Sequence, residues 1–404
     1  MNETVMADVF LKPKRAQPFY AQHPWVFAGA IERVAPAPPQ DGAVVNLRGH
    51  TGGFIARGYY NAQSKIQVRL FSWEEATPLD EAFFRARLMQ AIALRRDVLM
   101  LPTGPGFAYR AVFSEADKLP GLIVDVFGEY AAAQFTSLAL AQRKDAIGAL
   151  LMELLQVRGI YLKNERGMNK LEGLTLTDGV LAGEAPPPEI VLTHGGLHTA
   201  VNLQEGQKTG SYLDQLDNHA AVALYAYGAR VLDAFCYAGG FGLACAKAGA
   251  ASVLGVDSSE AALALAQRNA ELNALSAVRF LRADVFDQFD VLVAEGAAFD
   301  LVILDPPKFA RDRHNLPQAL RGYRRLLQQA MKLLPGGGVL AMSCCTGLIT
   351  AEMLQDIIAQ CAAEARRDVQ LLERRGPRAD HPMSLACREG AYLKCLILRV
   401  GPAR

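Results

Sequence analysis

The stretch Asp233-Ala234-Phe235-Cys236-Tyr237-Ala238-Gly239-Gly240-Phe241-Gly242 follows a short apolar segment and leads into an Ala-rich helical pattern. Glycines at a strand-to-helix turn let the backbone approach a ligand closely. The spacing is neither the Gly-x-Gly-x-x-Gly of dinucleotide-binding folds nor the Gly-x-x-x-x-Gly-Lys-[Ser/Thr] of phosphate-binding loops. The turn therefore predicts a ligand site in an α/β fold that lacks a pyrophosphate cradle.

The chain around this turn, from about residue 189 onwards, alternates between strand patterns and amphipathic helix patterns. The predicted strands are Val231–Phe235, Ser252–Asp257, Val278–Asp284, Leu301–Asp305, Val339–Ser343 and Tyr392–Val400. Helices are predicted between them, for example over Ser259–Asn273 and Thr350–Arg366. Such alternation is typical of a parallel sheet that is covered by helices on both faces.

Two smaller domains are predicted before this sheet. Short alternating segments separated by glycines indicate a small β barrel or sandwich within residues 1–74. Residues 75–186 mix helix and strand patterns and indicate an α+β unit, which ends at Glu184-Ala185-Pro186-Pro187-Pro188. Three consecutive prolines cannot continue a helix or a central strand. The predicted domains are therefore 1–74, 75–186 and 187–404.

The composition is that of an ordinary globular protein, with 404 residues, 51% of them hydrophobic and 21% charged. No apolar run approaches the ~18 residues of a membrane span, and the N-terminus lacks a secretory signal pattern. We therefore expect a cytoplasmic protein with no membrane partner. All seven cysteines lie after residue 230, and neither Cys-x-x-Cys nor His-Glu-x-x-His occurs, so we expect neither disulfides nor a bound metal.

Acidic residues recur at the carboxyl ends of the predicted strands, where ligands of such sheets bind. Asp233, Asp257, Asp284 and Asp305 form this series. Without a basic phosphate clamp, the series favours a cationic adenosine ligand, and S-adenosylmethionine meets that description. Each aspartate could instead cap the following helix. The other candidate cofactor contacts near these strand ends are Phe235, Tyr237, Gly239, Gly240, Val285 and Phe286.

A thiol and a carboxylate close two of these strands. Cys345 lies in Ser343-Cys344-Cys345-Thr346-Gly347, and Asp305 begins Asp305-Pro306-Pro307-Lys308. A thiolate can add to carbon 6 of a pyrimidine and activate carbon 5 for methylation, and a position near a helix start would favour its ionisation. Asp305 could bind the edge of a flipped base, and Lys308 could neutralise a phosphate. Cys345 is favoured over Cys344, and two buried thiols are the alternative.

RNA binding would have to depend on local clusters, because the formal net charge is only +1. One cluster lies between Lys308 and Lys332 and includes Arg311, Arg313, Arg321 and Arg324. A second combines Lys12, Lys14 and Arg15 with Trp25, since basic and aromatic groups together suit RNA. The alternatives are a solvated helix face for the first cluster and a core position for Trp25 and Phe27.

A set of motifs in this order resembles the ribosomal RNA large-subunit methyltransferase I family over nearly the whole chain. The motifs are His23-Pro24-Trp25-Val26-Phe27, Ser114 to Gly121, Gln207 to Gln215, Asp305-Pro306-Pro307-Lys308-Phe309, Arg321-Gly322-Tyr323 and Ser343 to Leu348. The resemblance implies an N-terminal PUA domain, a central α+β domain and a C-terminal Rossmann-like methyltransferase domain. It also implies formation of 5-methylcytosine in 23S rRNA with S-adenosylmethionine, and a homodimer.

The resemblance further implies particular residue roles. An ungapped match places the nucleophile at Cys345, although Cys344 stands where the family commonly has Ser. The segment Gln207–Gln215 resembles the stretch that closes over the cofactor, which makes Lys208, Thr209, Tyr212 and Asp214 candidate contacts. Three alternatives stay open: methylation of a guanine ring nitrogen, methylation of uracil carbon 5, and a non-catalytic RNA-binding or assembly factor. Naked RNA and a pre-ribosomal particle are equally open as substrates.

Overall fold

The computed structural model describes residues 4–165, 167–206, 209–310 and 312–403. The chain divides into two compact units, each assembled from several stretches of sequence. The first comprises Met1–Leu192, Val201–Leu213 and Ala379–Gly390, and the second comprises Thr193–Ala200, Asp214–Arg378 and Ala391–Arg404. The three predicted domains, 1–74, 75–186 and 187–404, stay a prediction. No helix in the described part of the chain is long and apolar enough to cross a membrane.

The first unit begins with a small β domain. Its elements are β1 (Ala7–Leu11), α1 (Gln17–Tyr20), β2 (Trp25–Phe27), β3 (Ile31–Ala35), β4 (Val44–Arg48), β5 (Phe54–Tyr60) and β6 (Ile66–Ser72). The strands form one sheet in the order β2-β6-β5-β4-β1-β3, in which β1 and β4 are parallel and the other pairs antiparallel. Val9, Leu47 and Val68 are fully buried in its core.

The aromatic residues of strand β2, Trp25 and Phe27, point away from the core of the β domain. Val26 is buried, whereas Phe27 is 47% exposed and Trp25 is half-buried. Successive side chains of a strand point to opposite faces, so a buried Val26 directs both neighbours away from the core. The alternative that Trp25 and Phe27 fill the core of this domain is therefore wrong.

The rest of the first unit is a five-stranded sheet with helices. Its elements are α2 (Glu81–Ala93), β7 (Ala108–Phe113), β8 (Leu122–Phe127), β9 (Tyr130–Phe135), α3 (Leu138–Gln142), α4 (Lys144–Leu155), β10 (Gly159–Leu162), α5 (Met168–Glu172) and β11 (Gly179–Gly183). The sheet order is β11-β10-β9-β8-β7. Asp80 caps α2 by accepting a hydrogen bond from the Phe83 amide at 2.9 Å, which fixes where this helix begins. A two-stranded sheet follows, made of β12 (Ile190–His194) and β13 (Leu197–Val201).

The second unit contains the large α/β sheet. Its strands are β14 (Arg230–Ala234), β15 (Ser252–Asp257), β16 (Val278–Arg282), β17 (Leu301–Leu304), β18 (Gly338–Cys344), β19 (Val369–Arg375) and β20 (Lys394–Val400). Its helices are α6 (Leu216–Ala223), α7 (Gly240–Lys247), α8 (Glu260–Leu272), α9 (Val285–Ala294), α10 (Leu316–Lys332) and α11 (Ala351–Glu364). All six strands predicted from sequence are present, within a few residues of their predicted ends.

The strand order is β16-β15-β14-β17-β18-β20-β19, and it reverses between β14 and β17. In sheets of this kind the ligand binds at such a switch point, beyond the carboxyl ends of the strands. The expected parallel arrangement is present from β16 to β18 and is wrong at one edge, because β20 runs antiparallel to both β18 and β19. The sequence pattern did not predict β19, which supplies this outer edge.

Helices cover both faces of the sheet, as expected from the apolar strands. Leu301 and Ile303 of β17 pack in one hydrophobic cluster, with Leu243 of α7. Val302 and Leu304 pack in another, which holds residues of α9, α10 and α11. Alternate residues of β17 are thus buried in hydrophobic clusters on opposite faces of the sheet. For this reason the whole strand is apolar.

Candidate active site

The glycine-rich turn after β14 is held in a conformation that few side chains allow. Phe235, Tyr237 and Gly239 have positive φ angles of 64°, 48° and 83°. A side chain at Gly240 could not fit, because its Cβ would lie 2.3 Å from Cε1 of His219. The turn therefore brings bare backbone to the edge of the sheet, directly before α7.

Asp233 is buried beneath this turn, with 1% of its surface exposed. One carboxyl oxygen, Oδ2, accepts a hydrogen bond from the Gly242 amide at 2.8 Å. The other, Oδ1, is buried and has no hydrogen-bond partner among the described residues. Burial is the largest cause that raises the pKa of Asp233 to about 7; the charges of Asp305 and Asp257 contribute to the rise, and the hydrogen bond from the Gly242 amide opposes it. A buried carboxyl oxygen without a donor fits a cationic ligand such as the ammonium group of S-adenosylmethionine.

Asp257 and Asp284 are both held by backbone amides. Asp257 accepts from the amides of Tyr237 at 3.0 Å and Ser259 at 2.9 Å, so it ties the glycine-rich turn to the end of β15. Asp284 is the N-cap of α9 and accepts from the amides of Phe286 and Asp287. The capping alternative is thus confirmed for Asp284. Roles for these two carboxylates in cofactor binding stay predictions.

Aromatic rings line the same edge of the sheet. The ring of Phe286 lies 6.5 Å from that of Phe235 and 6.2 Å from that of Phe309, measured between centroids. Phe309 in turn lies 4.9 Å from Tyr323. Val285, in contrast, is buried in the hydrophobic cluster beside α9. The rings are inclined to one another by 35° to 74°, and Phe309 and Tyr323 were not among the predicted site residues.

The two adjacent cysteines have different environments. Cys344, the last residue of β18, is fully buried in the hydrophobic core. Cys345 is half-buried, and its thiol donates to the Pro306 carbonyl at a distance of 3.9 Å. The structure thus brings Cys345 and the Asp305–Lys308 segment together, as expected. Cys345 lies between β18 and α11, whose N-cap is Thr350, as expected, and an effect of the helix start on its ionisation stays a prediction.

Asp305 is held by a network of side chains that the sequence did not predict. Gln215 is buried, and its Nε2 donates to Oδ2 of Asp305 at 3.1 Å and to Oγ of Ser343 at 3.3 Å. Asn218 donates to Oε1 of Gln215 at 2.6 Å, and Nε of Arg375 donates to Oδ1 of Asn218 at 3.1 Å. Because a guanidinium can only donate, this chain fixes the orientation of both amides.

Two lysines lie near the thiol and differ in exposure. Lys308 is exposed and follows the two prolines, where it could meet a phosphate. Lys394, which no sequence pattern singled out, is half-buried and donates to the carbonyls of Thr346 at 2.5 Å and Tyr392 at 3.0 Å. Cys345 thus follows the end of β18, contacts the proline loop at Pro306 and precedes Thr346, the residue that Lys394 of β20 binds.

Comparison with known proteins shows what this chain is similar to. The family model for S-adenosylmethionine-dependent methyltransferases matches residues 180–399, and the model for a PUA-like domain matches residues 9–73. Ribosomal RNA large subunit methyltransferase I of Shewanella denitrificans is 38% identical over 392 residues, which are 96% of this chain and 98% of that protein. The protein of the same name from Tolumonas auensis is 38% identical over 394 residues, with 97% and 98% covered.

The chain belongs to the ribosomal RNA large subunit methyltransferase I family. The matched family model shows an S-adenosylmethionine-dependent methyltransferase, and the two relatives are named for the large-subunit ribosomal RNA. The predicted fold class is also confirmed: the chain has a PUA-like N-terminal domain, a Rossmann-like methyltransferase domain and mixed sheets.

Solved structures share this fold. A Streptococcus mutans protein, described as a candidate S-adenosylmethionine-dependent methyltransferase, superposes with a TM-score of 0.84 at 21% identity, covering 98% of this chain and 100% of that one. The tRNA m1G37 methyltransferase of M. jannaschii superposes with a TM-score of 0.50 at 20% identity, covering 70% and 76%. At such identities the likeness shows the fold alone, so the second match does not favour guanine chemistry.

The predicted cofactor-closing segment is divided between the two units. Thr209, in the first unit, is fully buried, and its hydroxyl donates to Oδ2 of Asp125 at 2.5 Å. Asp214, in the second, accepts from the Tyr392 hydroxyl at 2.6 Å. Tyr212 is half-buried, and Lys208 lies outside the described residues. The hydroxyl of Thr209 thus has a structural partner, and the cofactor roles in this family member stay predictions.

The predicted RNA-binding residues are exposed to different degrees. Lys14, Arg15, Arg313 and Arg321 are exposed. Lys12 donates to the Gly29 carbonyl at 3.0 Å, and Nε1 of Trp25 donates to Glu115 at 2.8 Å. Arg324 is half-buried and paired with Glu364, which compensates its charge. Arg311 lies outside the described residues.

One group of metal-ligand residues occurs despite the absence of a spacing motif. His23, Cys387 and Glu389 have ligand atoms within 4.8 Å of one another. Nδ1 of His23 accepts from the Trp25 amide at 3.2 Å, so Nε2 has the proton that faces Glu389 at 3.3 Å. The imidazole of His23 and the carboxylate of Glu389 are therefore partners of each other without a metal ion. The absence of a metal stays a prediction.

Proposed function

We propose that this methyltransferase acts on carbon 5 of a cytosine in 23S rRNA through a covalent adduct between Cys345 and carbon 6. The observation that supports it is the contact of the half-buried Cys345 thiol with the Pro306 carbonyl, next to Asp305. An accessible thiol beside a hydrogen-bonding carboxylate is what attack on a pyrimidine requires. Cys344 is fully buried and lacks that access.

In the proposed reaction, Cys345 forms the covalent bond and other residues bind the cofactor. The Cys345 thiolate forms the S–C6 bond while the C5–C6 π electrons move to carbon 5. Bound S-adenosylmethionine supplies an electrophilic methyl group, and Asp233, Asp257 and the turn at Gly239 and Gly240 would hold it. A base then takes the proton from carbon 5, and the S–C6 bond breaks to release the thiolate.

Asp305 fits the recognition of cytosine in particular. The amide of Gln215 donates to Oδ2 of Asp305, so that oxygen acts as an acceptor. A carboxylate that accepts hydrogen bonds suits the exocyclic amino group of cytosine, which donates. Uracil presents a carbonyl at the same position and would meet a second acceptor. We therefore prefer cytosine to uracil as the target base.

The remaining parts of the proposal concern the RNA. The PUA-like domain, with Lys12, Lys14, Arg15 and Trp25, and the cluster with Arg311, Arg313, Arg321 and Arg324 would bind rRNA outside the reacting base. The target nucleotide must leave any duplex before Cys345 can reach it. We propose a cytoplasmic protein that forms a homodimer. Sedimentation with and without RNA tests the homodimer.

The decisive experiment traps the adduct. Purified protein, S-adenosylmethionine and 23S rRNA fragments that contain 5-fluorocytidine are incubated, because fluorine at carbon 5 prevents release of the enzyme. We expect a stable protein–RNA adduct at Cys345 in the native protein and in Cys344→Ser, and none in Cys345→Ser. Nucleoside mass spectrometry of unmodified rRNA should show 5-methylcytidine.

Three outcomes would contradict the proposal. An adduct at Cys344 would reassign the nucleophile. Full activity of Cys345→Ser with a methylated guanine as product would select ring-nitrogen chemistry. Failure to bind S-adenosylmethionine in calorimetry, with RNA binding retained, would favour a non-catalytic assembly factor.

A further inference from the structure

Lys394 begins strand β20, and its pairing in the sheet places it beside the two cysteines. In the antiparallel register of β18 and β20, Lys394 lies directly opposite Cys344. Its Nζ donates to the Thr346 carbonyl at 2.5 Å, and Thr346 is the residue after Cys345. A second bond, to the Tyr392 carbonyl at 3.0 Å, fixes the ammonium from the other side. The ammonium is therefore held at the turn that presents the Cys345 thiol.

In the part of the chain that the structure describes, no carboxylate forms an ion pair with this ammonium within 4.0 Å. Its two acceptors are carbonyls, which accept hydrogen bonds but do not neutralise the charge. Burial lowers the pKa of Lys394, and negative charge on Cys344 or Cys345 raises it. The charge that would most stabilise this ammonium is therefore a thiolate.

The other titratable groups near the thiols either oppose ionisation of Cys345 or have no unscreened charge that could favour it. Asp305, on the loop after β17, is negative when ionised and opposes a second negative charge nearby. Tyr323 of α10 is fully buried, and burial raises its pKa, so it is neutral near pH 7. Cys344 is enclosed in the core. Lys308, on the loop after β17, is exposed to solvent, which screens its charge, so Lys394 is the half-buried cation on the surrounding elements that can favour ionisation of Cys345.

We propose that the ammonium of Lys394 is the counter-ion of the Cys345 thiolate and thereby sets the fraction of enzyme that is ready to attack the base. The inference rests on the proposed role of Cys345 as nucleophile. The thiol gives its proton to water, and the resulting thiolate remains paired with the ammonium until its electron pair forms the S–C6 bond. When that bond breaks, the thiolate returns to the same partner.

The test measures the thiol itself and needs neither RNA nor cofactor. The rate of Cys345 alkylation by iodoacetamide is followed against pH by quantitative mass spectrometry of its peptide. The native protein is compared with Lys394→Met, which removes the charge, and with Lys394→Arg, which keeps it. Lys247→Met is the matched control, since Lys247 is an exposed lysine at the end of α7.

We expect Lys394→Met to move the midpoint of alkylation upwards by about one pH unit, which is about a tenfold loss of rate near neutral pH. The plateau rate at high pH should stay near that of the native protein, which shows that the thiol is still accessible. Lys394→Arg and Lys247→Met should keep the native midpoint. If Lys394→Met does not fold, Lys394→Gln has the same expected shift, because it can still donate to the two carbonyls.

Two results would overturn the inference. One is an unchanged midpoint in Lys394→Met or Lys394→Gln, and the other is an equal shift in Lys394→Arg. A failure of the proposed function would be seen separately. In that case the native protein would form no adduct with 5-fluorocytidine RNA, while the alkylation profile would still report whether Lys394 controls the thiol.

Discussion

The two halves of the candidate site are held in place by different kinds of partners. At the carboxyl ends of β14, β15 and β16, the carboxylates of Asp233, Asp257 and Asp284 accept hydrogen bonds from backbone amides. Beyond β17 and β18, Asp305 is held by the side chain of Gln215, and Lys394 reaches across from β20. The proposed cofactor half thus depends on local loops, whereas the proposed base half depends on contacts that are distant in sequence.

The largest expected effect is a difference in kcat between substitutions of the two thiols, Cys345 and Cys344, in the half of the site that is proposed to bind the target base. Cys345→Ser should lower kcat for methyl transfer by about 10⁴-fold or more, because it removes the nucleophile. Affinity for S-adenosylmethionine should stay within about twofold in calorimetry, since the cofactor half is untouched. Cys344→Ser is the matched control and should keep most of the activity while losing some thermal stability. Equal losses from both substitutions would mean that the comparison between the thiols is mistaken.

The next effect belongs to the cofactor half. Asp233→Asn should weaken S-adenosylmethionine binding by about tenfold or more, because a charged hydrogen bond is worth about 1.5–3 kcal/mol. Its kcat at saturating cofactor should change little. Isothermal calorimetry measures the affinity, and radiolabelled methyl transfer measures kcat. A variant with native affinity would show that the buried Oδ1 does not meet the cofactor.

Because the pKa of Asp233 is raised, binding of S-adenosylmethionine in the cofactor half should depend on pH. The pKa is raised to about 7 in the folded protein, so Asp233 takes up a proton as pH falls through that value. Because the ionised form is the one that suits a cationic ligand, the association constant should fall as pH drops below about 7, by up to about tenfold per unit. In Asp233→Asn this dependence should vanish. A pH-independent affinity in the native protein would contradict the assignment.

A smaller effect is expected from the network behind Asp305. Gln215→Leu should lower kcat/KM for RNA by about tenfold, because it removes one hydrogen-bond donor that helps to orient Asp305. Affinity for S-adenosylmethionine should be nearly unchanged. Asn218 contacts Gln215 and is one hydrogen bond further from Asp305. Asn218→Ala should therefore raise the activation free energy by about half as much as Gln215→Leu does. If Gln215→Leu weakened the cofactor and left RNA kinetics intact, the division into two halves would not hold.

The difference between the halves also explains what could be predicted from sequence. The turn at Gly239 and Gly240, the aspartates at strand ends and Cys345 stand out because their signals lie within a few adjacent residues. Asn218, Arg375 and Lys394 gave no such signal, and Gln215 stood out only as the end of the Gln207–Gln215 motif, since each acts through a partner that only folding brings near. For the same reason β19 escaped prediction, because its residues alternate too weakly to indicate a strand at the sheet edge.

The smallest effects concern RNA contacts away from both halves, where two arginines of α10 form a natural pair. Arg321 is exposed, and Arg324 is paired with Glu364. Arg321→Ala should weaken rRNA binding about twofold to threefold and reduce the salt dependence by about one phosphate contact. Arg324→Ala should change binding less, because the charge of Arg324 is already compensated. Filter binding at several salt concentrations measures both variants. Since neither arginine touches Cys345 or Asp233, single-turnover rates at saturating RNA should match the native rate, and a lower rate would place α10 inside the base half after all.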